Sequence, residues 1–192
     1  MAISEHQPQS GASPDTGLFL SVWDELVRDA DLAAALDRIH RDFHLIDRST
    51  FFWYDMTRSA RRSPANPIEE LAELVVRTVR PQKLAGVEYW SNTLGEGENM
   101  PIHQDKDEKL FWTKKQLAHP AISTVYYPGV TDFAGGELTV NRENILRPRA
   151  NQLVAFRGSL PHGVNKVASG ERRSIALNLW SRTPTTYLAF LA

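Results

Sequence analysis

Cysteine is absent from the 192-residue sequence. Its absence excludes disulfide frameworks, thiolate zinc sites, iron–sulfur clusters and thiol nucleophiles. A metal ion bound by this chain must therefore use histidine, aspartate or glutamate side chains. A cysteine-free chain also fits the reducing cytosol, so we expect a cytoplasmic location.

The sequence also has little net charge. Lys and Arg together number 22 against 23 Asp and Glu, which leaves a net charge of −1 with neutral histidine. Because no overall positive field attracts nucleic acid or anionic lipid, we expect no nucleic-acid or membrane partner. Residues 1–17 are polar and lack the basic start and apolar stretch of a signal peptide or membrane anchor, and we predict that they form a flexible tail.

The first half of the remaining chain has a helical pattern. Residues 18–43 repeat apolar side chains at helical spacing and predict two short helices. The stretch 51–65 begins with four aromatic residues, and the arginine and serine run that follows them predicts a loop. A further helix is predicted to begin at Pro67, because Asn66 can cap it and Glu69 can bond back across the first turn. Proline at position 81 ends this helix.

From residue 82 onward the apolar period changes from 3.6 to 2, which is typical of β-strands separated by Gly, Pro and Asn. The predicted strands are residues 84–92, 121–127, 137–140, 152–156, 163–167 and 172–181. Helices that precede antiparallel strands predict one α+β domain over residues 18–192. Residues 18–81 are expected to form a helical support, and residues 82–192 a sandwich or barrel core.

Two of the six histidines fall where they can form a metal site. His103 and Asp105 are two positions apart in an extended segment, so their side chains point to the same face. His162 lies at the start of a later predicted strand, which antiparallel hairpins can return to the first pair. Two imidazoles and one carboxylate on one face of an octahedral ion leave open positions, as in non-haem iron(II) oxygenases.

The last predicted strand has one aliphatic and one polar face. Alternation places Ile175, Leu177 and Leu179 on the aliphatic face, which belongs in a packed layer. The other face carries hydrogen-bonding and small residues, namely Arg172, Ser174, Ala176, Asn178 and Trp180. Such a row is expected in an interior only where something polar binds there. Arg172 and Ser174 therefore predict an anion-binding pair near the metal.

Several motifs, taken in order, resemble one known family. They are His103-x-Asp105, Tyr126-Tyr127, the Gly-Gly-Glu-Leu run at 135–138, the segment 151–156 leading to His162, and Gly170-x-Arg172-x-Ser174. Over residues 84–181 they resemble the iron(II)- and 2-oxoglutarate-dependent oxygenases of the prolyl 4-hydroxylase type. The resemblance implies an α+β fold built on a distorted double-stranded β-helix, or jelly roll, with supporting N-terminal helices.

The resemblance also implies the cofactors and the roles of individual residues. The catalytic iron(II) ligands would be His103, Asp105 and His162. Arg172 would pair with the distal carboxylate of 2-oxoglutarate, assisted by Ser174 and by Tyr127, or by Tyr126 if the strand register slips by one. Dioxygen is the other cosubstrate, and the implied reaction is oxidation of a substrate C–H bond with release of succinate and carbon dioxide.

The substrate is less defined by these motifs. Residues 106–120 follow Asp105 directly, are charged and amphipathic, and predict a lid over the site. Candidate substrate contacts are Trp90, Glu108, Asn178 and Trp180. Mixed charges beside aromatic rings favour a small amino-acid-like substrate, with a peptide or protein side chain as the alternative. A cupin-like metal enzyme or binding module without redox chemistry is a further alternative, although it has no need of Arg172 and Ser174.

Overall fold

The structure is a computed structural model that describes residues 20–42, 51–57, 62–129 and 132–188. The predicted tail at 1–17 lies outside these residues. The helices are α1 (Ala30–Asp42), α2 (Pro67–Val79) and α3 (Glu108–Lys114). The strands are β1 (Leu20–Trp23), β2 (Phe52–Asp55), β3 (Gly86–Leu94), β4 (Met100–His103), β5 (Ile122–Tyr127), β6 (Ala134–Gly135), β7 (Leu138–Val140), β8 (Asn144–Leu146), β9 (Gln152–Arg157), β10 (His162–Val164), β11 (Val167–Ser169) and β12 (Arg172–Trp180). In this part of the chain, no helix is long and apolar enough to cross a bilayer.

Two antiparallel sheets enclose a central cavity. The larger sheet has the strand order β1-β9-β5-β12-β3-β2, and the smaller sheet has the order β4-β10-β7-β8. A short pair, β11 with β6, extends one side. Trp90 and Ala176 of the larger sheet line the same cavity as Met100 and Val164 of the smaller sheet. The predicted α+β class and the distorted double-stranded β-helix are therefore confirmed.

The outer face of the larger sheet packs against α1 and α2. Ile175, Leu177 and Leu179 of β12 are fully buried in this layer, together with Leu36 of α1 and Leu71 of α2. Full burial of one such side chain stabilises the fold by about 1.5–3 kcal/mol. The predicted packing of the aliphatic face of β12 is confirmed, and its polar face is left to line the cavity.

The start of α2 agrees with its sequence pattern in all but one contact. Asn66 Oδ1 accepts hydrogen bonds from the amides of Ile68 and Glu69, both at 3.0 Å, and Pro67 is the first helical residue. The Glu69 carboxylate bonds to the amide of Ala65 at 2.7 Å, one residue before the position that a capping box would use. The carboxylate is also paired with Arg62, which holds the entering chain against the helix.

The prediction of two helices in residues 18–43 is wrong. The segment contains strand β1 and one helix, α1. β1 pairs with β9, with Leu20 opposite Phe156, and it covers the outer edge of the larger sheet. Over four residues an apolar pattern fits either period, so the unpaired edge of β9 decides the conformation rather than local propensity.

Other differences concern elements of a few residues. The aromatic residues before the predicted arginine and serine loop form β2, a strand the sequence did not predict, which pairs with β3 at the opposite edge of the larger sheet. β4, β6, β8 and α3 were not predicted, since two to seven residues are too few for a periodic pattern. The predicted strand at 163–167 is divided into β10 and β11, which are separated by the exposed Asn165 and Lys166.

Replacement of the α2 cap tests how far this helix depends on its first turn. We expect Asn66→Ala to lower the free energy of unfolding by about 1 kcal/mol, because two amides lose their acceptor. Asn66→Asp keeps a capping oxygen and serves as the control. Chemical denaturation of both variants measures the effect; equal stability of Asn66→Ala and the native chain would contradict the assigned cap.

Candidate functional site

The two predicted histidine ligands lie side by side in the smaller sheet. β10 pairs with β4 so that His162 stands directly opposite His103, and their ring centroids are 4.5 Å apart. β7 holds β10 from its other side, with His162 opposite Val140. The return of His162 to the first motif therefore comes from strand pairing, as the sequence predicted, although β4 itself was not foreseen.

Asp105 completes a group of three converging ligand atoms. Its Oδ1 is 3.7 Å from His103 Nε2, its Oδ2 is 3.4 Å from His162 Nε2, and the ligand atoms of the three residues all lie within 4.8 Å of one another. Two imidazole nitrogens and one carboxylate at this spacing fit a single iron(II) ion. The three residues therefore form a ligand set that suits iron(II), as the resemblance implies.

The backbone prepares both histidines for metal binding. Nδ1 of His103 lies 2.9 Å from the carbonyl oxygen of Pro101, and Nδ1 of His162 lies 3.1 Å from that of Leu160. A carbonyl oxygen only accepts, so each Nδ1 carries the proton and each Nε2 keeps its lone pair for the metal. Burial lowers the pKa of His162, although the charge of Asp105 opposes the shift, and the neutral imidazole is the form that binds metal.

Two further residues hold Asp105, and neither was predicted. The Ser123 hydroxyl donates to Asp105 Oδ2 at 2.9 Å, and Nδ1 of His119 lies 2.7 Å from the Asp105 carbonyl oxygen. A signal for Ser123 existed in the sequence. In the predicted strand 121–127, Ser123 shares one face with Val125 and Tyr127, because the three residues are spaced by two. This face turns toward the interior, where a polar residue such as Ser123 indicates a specific contact.

Arg172 lies at another side of the same cavity and is only 1% exposed. Its guanidinium donates to the carbonyl oxygen of Gly136 at 2.9 Å, to the Ser174 hydroxyl at 3.0 Å and to the Tyr127 hydroxyl at 2.9 Å. Tyr126 points to the opposite side of the sheet, where its hydroxyl bonds to Asn151. Of the two tyrosines left open by the sequence, Tyr127 is therefore the one that contacts Arg172.

The Gly-Gly run at 135–136 allows the carbonyl oxygen of Gly136 to come close to the Arg172 guanidinium. Gly136 has φ +66°, a left-handed conformation, and a Cβ at this position would lie 3.0 Å from the Arg172 Cδ. A side chain there would be strained and would press on the guanidinium stem. The glycine therefore serves to bring a backbone acceptor against a buried arginine.

The four predicted substrate contacts are divided by the structure. Trp90 and Asn178 line the central cavity. Trp180 does not line it, because its ring is buried and its Nε1 donates to Glu88 at 3.1 Å. Glu108 does not line it either, because its side chain is 58% exposed on α3 and pairs with Lys106.

The segment 106–120, which the sequence predicts to be a lid, is held near its start by residues of the C-terminal segment. Asp107 caps α3, and its side chain is fully buried at 0% exposure. Asp107 Oδ2 accepts from the amide and hydroxyl of Thr185 at 2.8 and 2.9 Å, and from Arg182 at 3.1 Å. The C-terminal segment, residues 181–188, therefore lies against the loop that carries Asp105.

Comparison with solved structures finds the same fold in prolyl hydroxylases. A Pseudomonas putida prolyl 4-hydroxylase superposes with a TM-score of 0.56 and 20% identity over 85% of this chain and 88% of its own. A collagen prolyl hydroxylase of Paramecium bursaria Chlorella virus-1 gives 0.56 and 13% over 85% and 96%. A Trichoplax adhaerens prolyl hydroxylase, in complex with a hypoxia inducible factor peptide fragment, gives 0.53 and 12% over 90% and 87%. At these identities the likeness shows the fold.

Comparison of the sequence itself identifies the family. No match is found among curated proteins. Residues 87–181 match the profile described as the 2OG-Fe(II) oxygenase superfamily, a span that contains all three metal ligands and Arg172. This match removes the cupin-like alternative. The chain therefore belongs to the 2OG-Fe(II) oxygenase superfamily and is an iron(II)- and 2-oxoglutarate-dependent dioxygenase with the triad His103, Asp105 and His162.

Proposed function

We propose that this dioxygenase oxidises a C–H bond of a small amino-acid-like molecule and binds 2-oxoglutarate through Arg172, Ser174 and Tyr127. One oxygen atom of dioxygen enters the substrate as a hydroxyl group and the other enters succinate, as carbon dioxide leaves 2-oxoglutarate. A cytoplasmic location belongs to the same proposal, since the sequence contains no cysteine.

The observation that carries the cosubstrate assignment is a buried guanidinium without a counter-ion. Among the described residues, no carboxylate lies within 4.0 Å of the Arg172 nitrogens, whose partners are one carbonyl and two hydroxyl oxygens. A buried charge with only neutral partners keeps much of its desolvation penalty. A carboxylate entering from the cavity would remove this penalty, and the Ser174 and Tyr127 hydroxyls can donate to the same group.

The three ligands and the cavity wall have separate tasks. His103, Asp105 and His162 would hold iron(II), which when bound supplies the activation of dioxygen that couples decarboxylation of 2-oxoglutarate to substrate oxidation. In the neutral imidazoles the two backbone carbonyls hold the proton on Nδ1, so the lone pair of each Nε2 is directed to the metal position. Apolar side chains of Val125, Leu138 and Phe156 line the cavity, and they exclude water from the reacting groups.

The enclosure of the site supports a small substrate. The C-terminal segment is tied to Asp107 on one side, and on another its Tyr187 hydroxyl donates to Glu88 of β3 at 2.8 Å. A chain segment fastened across these two elements restricts entry from that end. Trp90 and Asn178 offer one aromatic ring and one amide to a molecule that has entered the cavity.

A peptide or protein side chain is the second candidate substrate. Trp112 on α3 is 66% exposed, and Leu117 in the same lid is also exposed. Exposed apolar side chains beside a metal-binding loop are suited to contacts with a longer chain. The structural neighbours are prolyl hydroxylases, one of them in complex with a peptide fragment.

Loss of one ligand tests the metal triad. With iron(II) and 2-oxoglutarate under anaerobic conditions, we expect the native protein to develop the weak visible charge-transfer absorption of the chelate. His162→Ala should abolish this band without unfolding the chain, because one of the two Nε2 donors is removed. His40→Ala, within α1, is the matched control. A folded native protein without the band would contradict the assigned function.

Arg172 is tested by its effect on cosubstrate affinity. Arg172→Ala should weaken 2-oxoglutarate binding by about 1.5–3 kcal/mol, the range of a charge-assisted hydrogen bond. Arg173→Ala is the control, since the next residue of β12 points to the other face and pairs with Glu171. Titration of 2-oxoglutarate into the iron(II) protein measures both. Unchanged affinity in Arg172→Ala would show that the carboxylate binds elsewhere.

The substrate class is tested by the release of succinate. The iron(II) protein is supplied with 2-oxoglutarate, oxygen and a panel of free amino acids and proline-containing peptides. We expect at least one free amino acid to stimulate succinate release above the level without substrate. Stimulation by peptides alone would favour the second candidate and reject the first.

A further inference from the structure

A half-buried carboxylate, that of Glu88, lies near the cavity at the end away from Arg172. Glu88 is on β3, and alternation places it on the same face as Trp90 and Asn92, both of which line the cavity. In the sheet it stands opposite Asn178 of β12, another cavity residue. Glu88 therefore belongs to the interior face of the larger sheet, next to the last residues of the cavity wall.

The Glu88 carboxylate is bound by neutral donors, two aromatic side chains and Asn178. Its Oε1 accepts from the Tyr187 hydroxyl at 2.8 Å, and its Oε2 accepts from Trp180 Nε1 at 3.1 Å. Trp53 stands opposite Glu88 on β2, and its ring stacks on Tyr187 with centroids 5.3 Å apart. Within the described ranges, no Lys, Arg or His lies within 4.0 Å of this carboxylate.

One polar atom of this aromatic group has no partner. Trp53 Nε1 is buried and makes no hydrogen bond to any described residue. Buried indole N–H groups usually find an acceptor, so an unpaired one needs an explanation. An acceptor on a bound molecule would provide it. The cluster of Glu88 and its aromatic neighbours therefore contains one carboxylate without a cationic partner and one indole N–H without an acceptor.

The electrostatics of Glu88 also favour a cation. Burial raises the pKa of its carboxyl, and hydrogen bonds from Tyr187 and Trp180 oppose the shift, while the charge of Asp105 adds to it. A positive group beside Glu88 would offset both the burial and the repulsion from Asp105. Aromatic faces stabilise ammonium and guanidinium groups in addition.

The position relative to the metal sets the reach of such a ligand. Ser123, which bonds to Asp105, stands opposite Asn178, and Asn178 stands opposite Glu88. Two strand spacings therefore separate Glu88 from Ser123, roughly 10 Å between Cα atoms. A molecule held at Glu88 would present a carbon several bonds from its cationic group to the metal centre.

We propose that Glu88 binds a cationic group of the primary substrate, an ammonium or a guanidinium, within the aromatic group formed by Trp53, Trp180 and Tyr187. The inference rests on the proposed function, which it narrows to an amine- or guanidine-bearing substrate. Arg172 then serves the anionic cosubstrate at one end of β12, and Glu88 serves the cationic substrate toward the other end.

The test compares charged and uncharged ligands of the iron(II)–2-oxoglutarate protein without turnover. Under anaerobic conditions, L-lysine and L-arginine are titrated beside L-norleucine and L-citrulline, each also as its Nα-acetyl form. Tryptophan fluorescence measures binding, since Trp53 and Trp180 flank Glu88, and the charge-transfer band provides a second signal. Acetylation removes the α-ammonium, whereas norleucine and citrulline lack the side-chain charge of lysine and arginine. One of these two changes, the one that removes the group bound by Glu88, should weaken binding to the native protein by about tenfold or more.

Variants assign this preference to Glu88. In Glu88→Gln the difference between charged and uncharged ligands should fall below about twofold, because the side chain keeps its size and loses its charge. Glu88→Asp keeps the charge and should keep the preference with weaker binding. Glu70→Gln, at an exposed position of α2, is the matched control and should bind as the native protein does.

Three outcomes would overturn the proposal. They are binding of uncharged ligands as tight as that of the cations, no binding of any cation, and an undiminished cation preference in folded Glu88→Gln. The ligand comparison on the native protein needs no variant. It can therefore reject the proposal even if Glu88→Gln fails to fold. A native protein that forms the charge-transfer band but ignores cations rejects only the role of Glu88, whereas loss of the band itself rejects the proposed function.

Discussion

The pairing of β4 with β10 is the contact on which the rest of the site depends. It sets His103 opposite His162 and so fixes the separation of two metal ligands that are far apart in the sequence. Gly163 makes the pairing possible, since a Cβ there would lie 2.7 Å from the carbonyl oxygen of Met100. A larger residue would push β4 away and separate the two imidazoles. The glycine after the second histidine is therefore part of the metal site, although it binds nothing.

The larger sheet supplies the charges that the smaller sheet lacks. Its interior face holds Arg172 near one end of β12 and Glu88 opposite Asn178, six positions along the same strand. Neither side chain has an oppositely charged partner among the described residues, so each keeps part of its desolvation cost. Both sit on a sheet whose other face is fully packed, and this layer supplies the stability that unpaired charges remove.

The sequence predicted most where a period of two runs over many residues. β12 has nine residues, and alternation alone separated its core face from its cavity face and selected Arg172 and Ser174. The ordered motifs then identified the triad. For Tyr126 and Tyr127 alternation was insufficient, because both are buried and a slip of one residue exchanges them. The contact between Tyr127 and Arg172 depends on the register with β9 and β12, which the sequence does not contain.

Short elements and contacts distant in sequence were beyond sequence reasoning for a related reason. β1 and β4 have four residues each, and each is extended because a neighbouring strand offers hydrogen bonds. Glu88 stands two positions before Trp90 and so could have been assigned to the same face, but its partner Tyr187 is 99 residues away. Nothing local in the sequence marks such a carboxylate as half-buried. Its meaning appears only when the C-terminal segment is seen beside β3.

The segment 106–120, predicted to be a lid, is held at both of its ends. The Asp107 amide donates to the carbonyl oxygen of Ala118 at 2.9 Å, and His119 contacts the carbonyl of Asp105, so both ends of the lid meet beside the metal ligand. Burial alone would raise the pKa of Asp107, but the bonds from Thr185 and Leu110 hold it below its usual value. The carboxylate is therefore charged at neutral pH and holds the start of this segment against Thr185 and Arg182. Opening at this point would break several hydrogen bonds and displace Asp105, whereas the His103 side chain is already 39% exposed. A substrate that enters beside His103 leaves the three metal ligands in place. The opposite end of the cavity, which the C-terminal segment encloses, then serves to bind the substrate and not as its entrance.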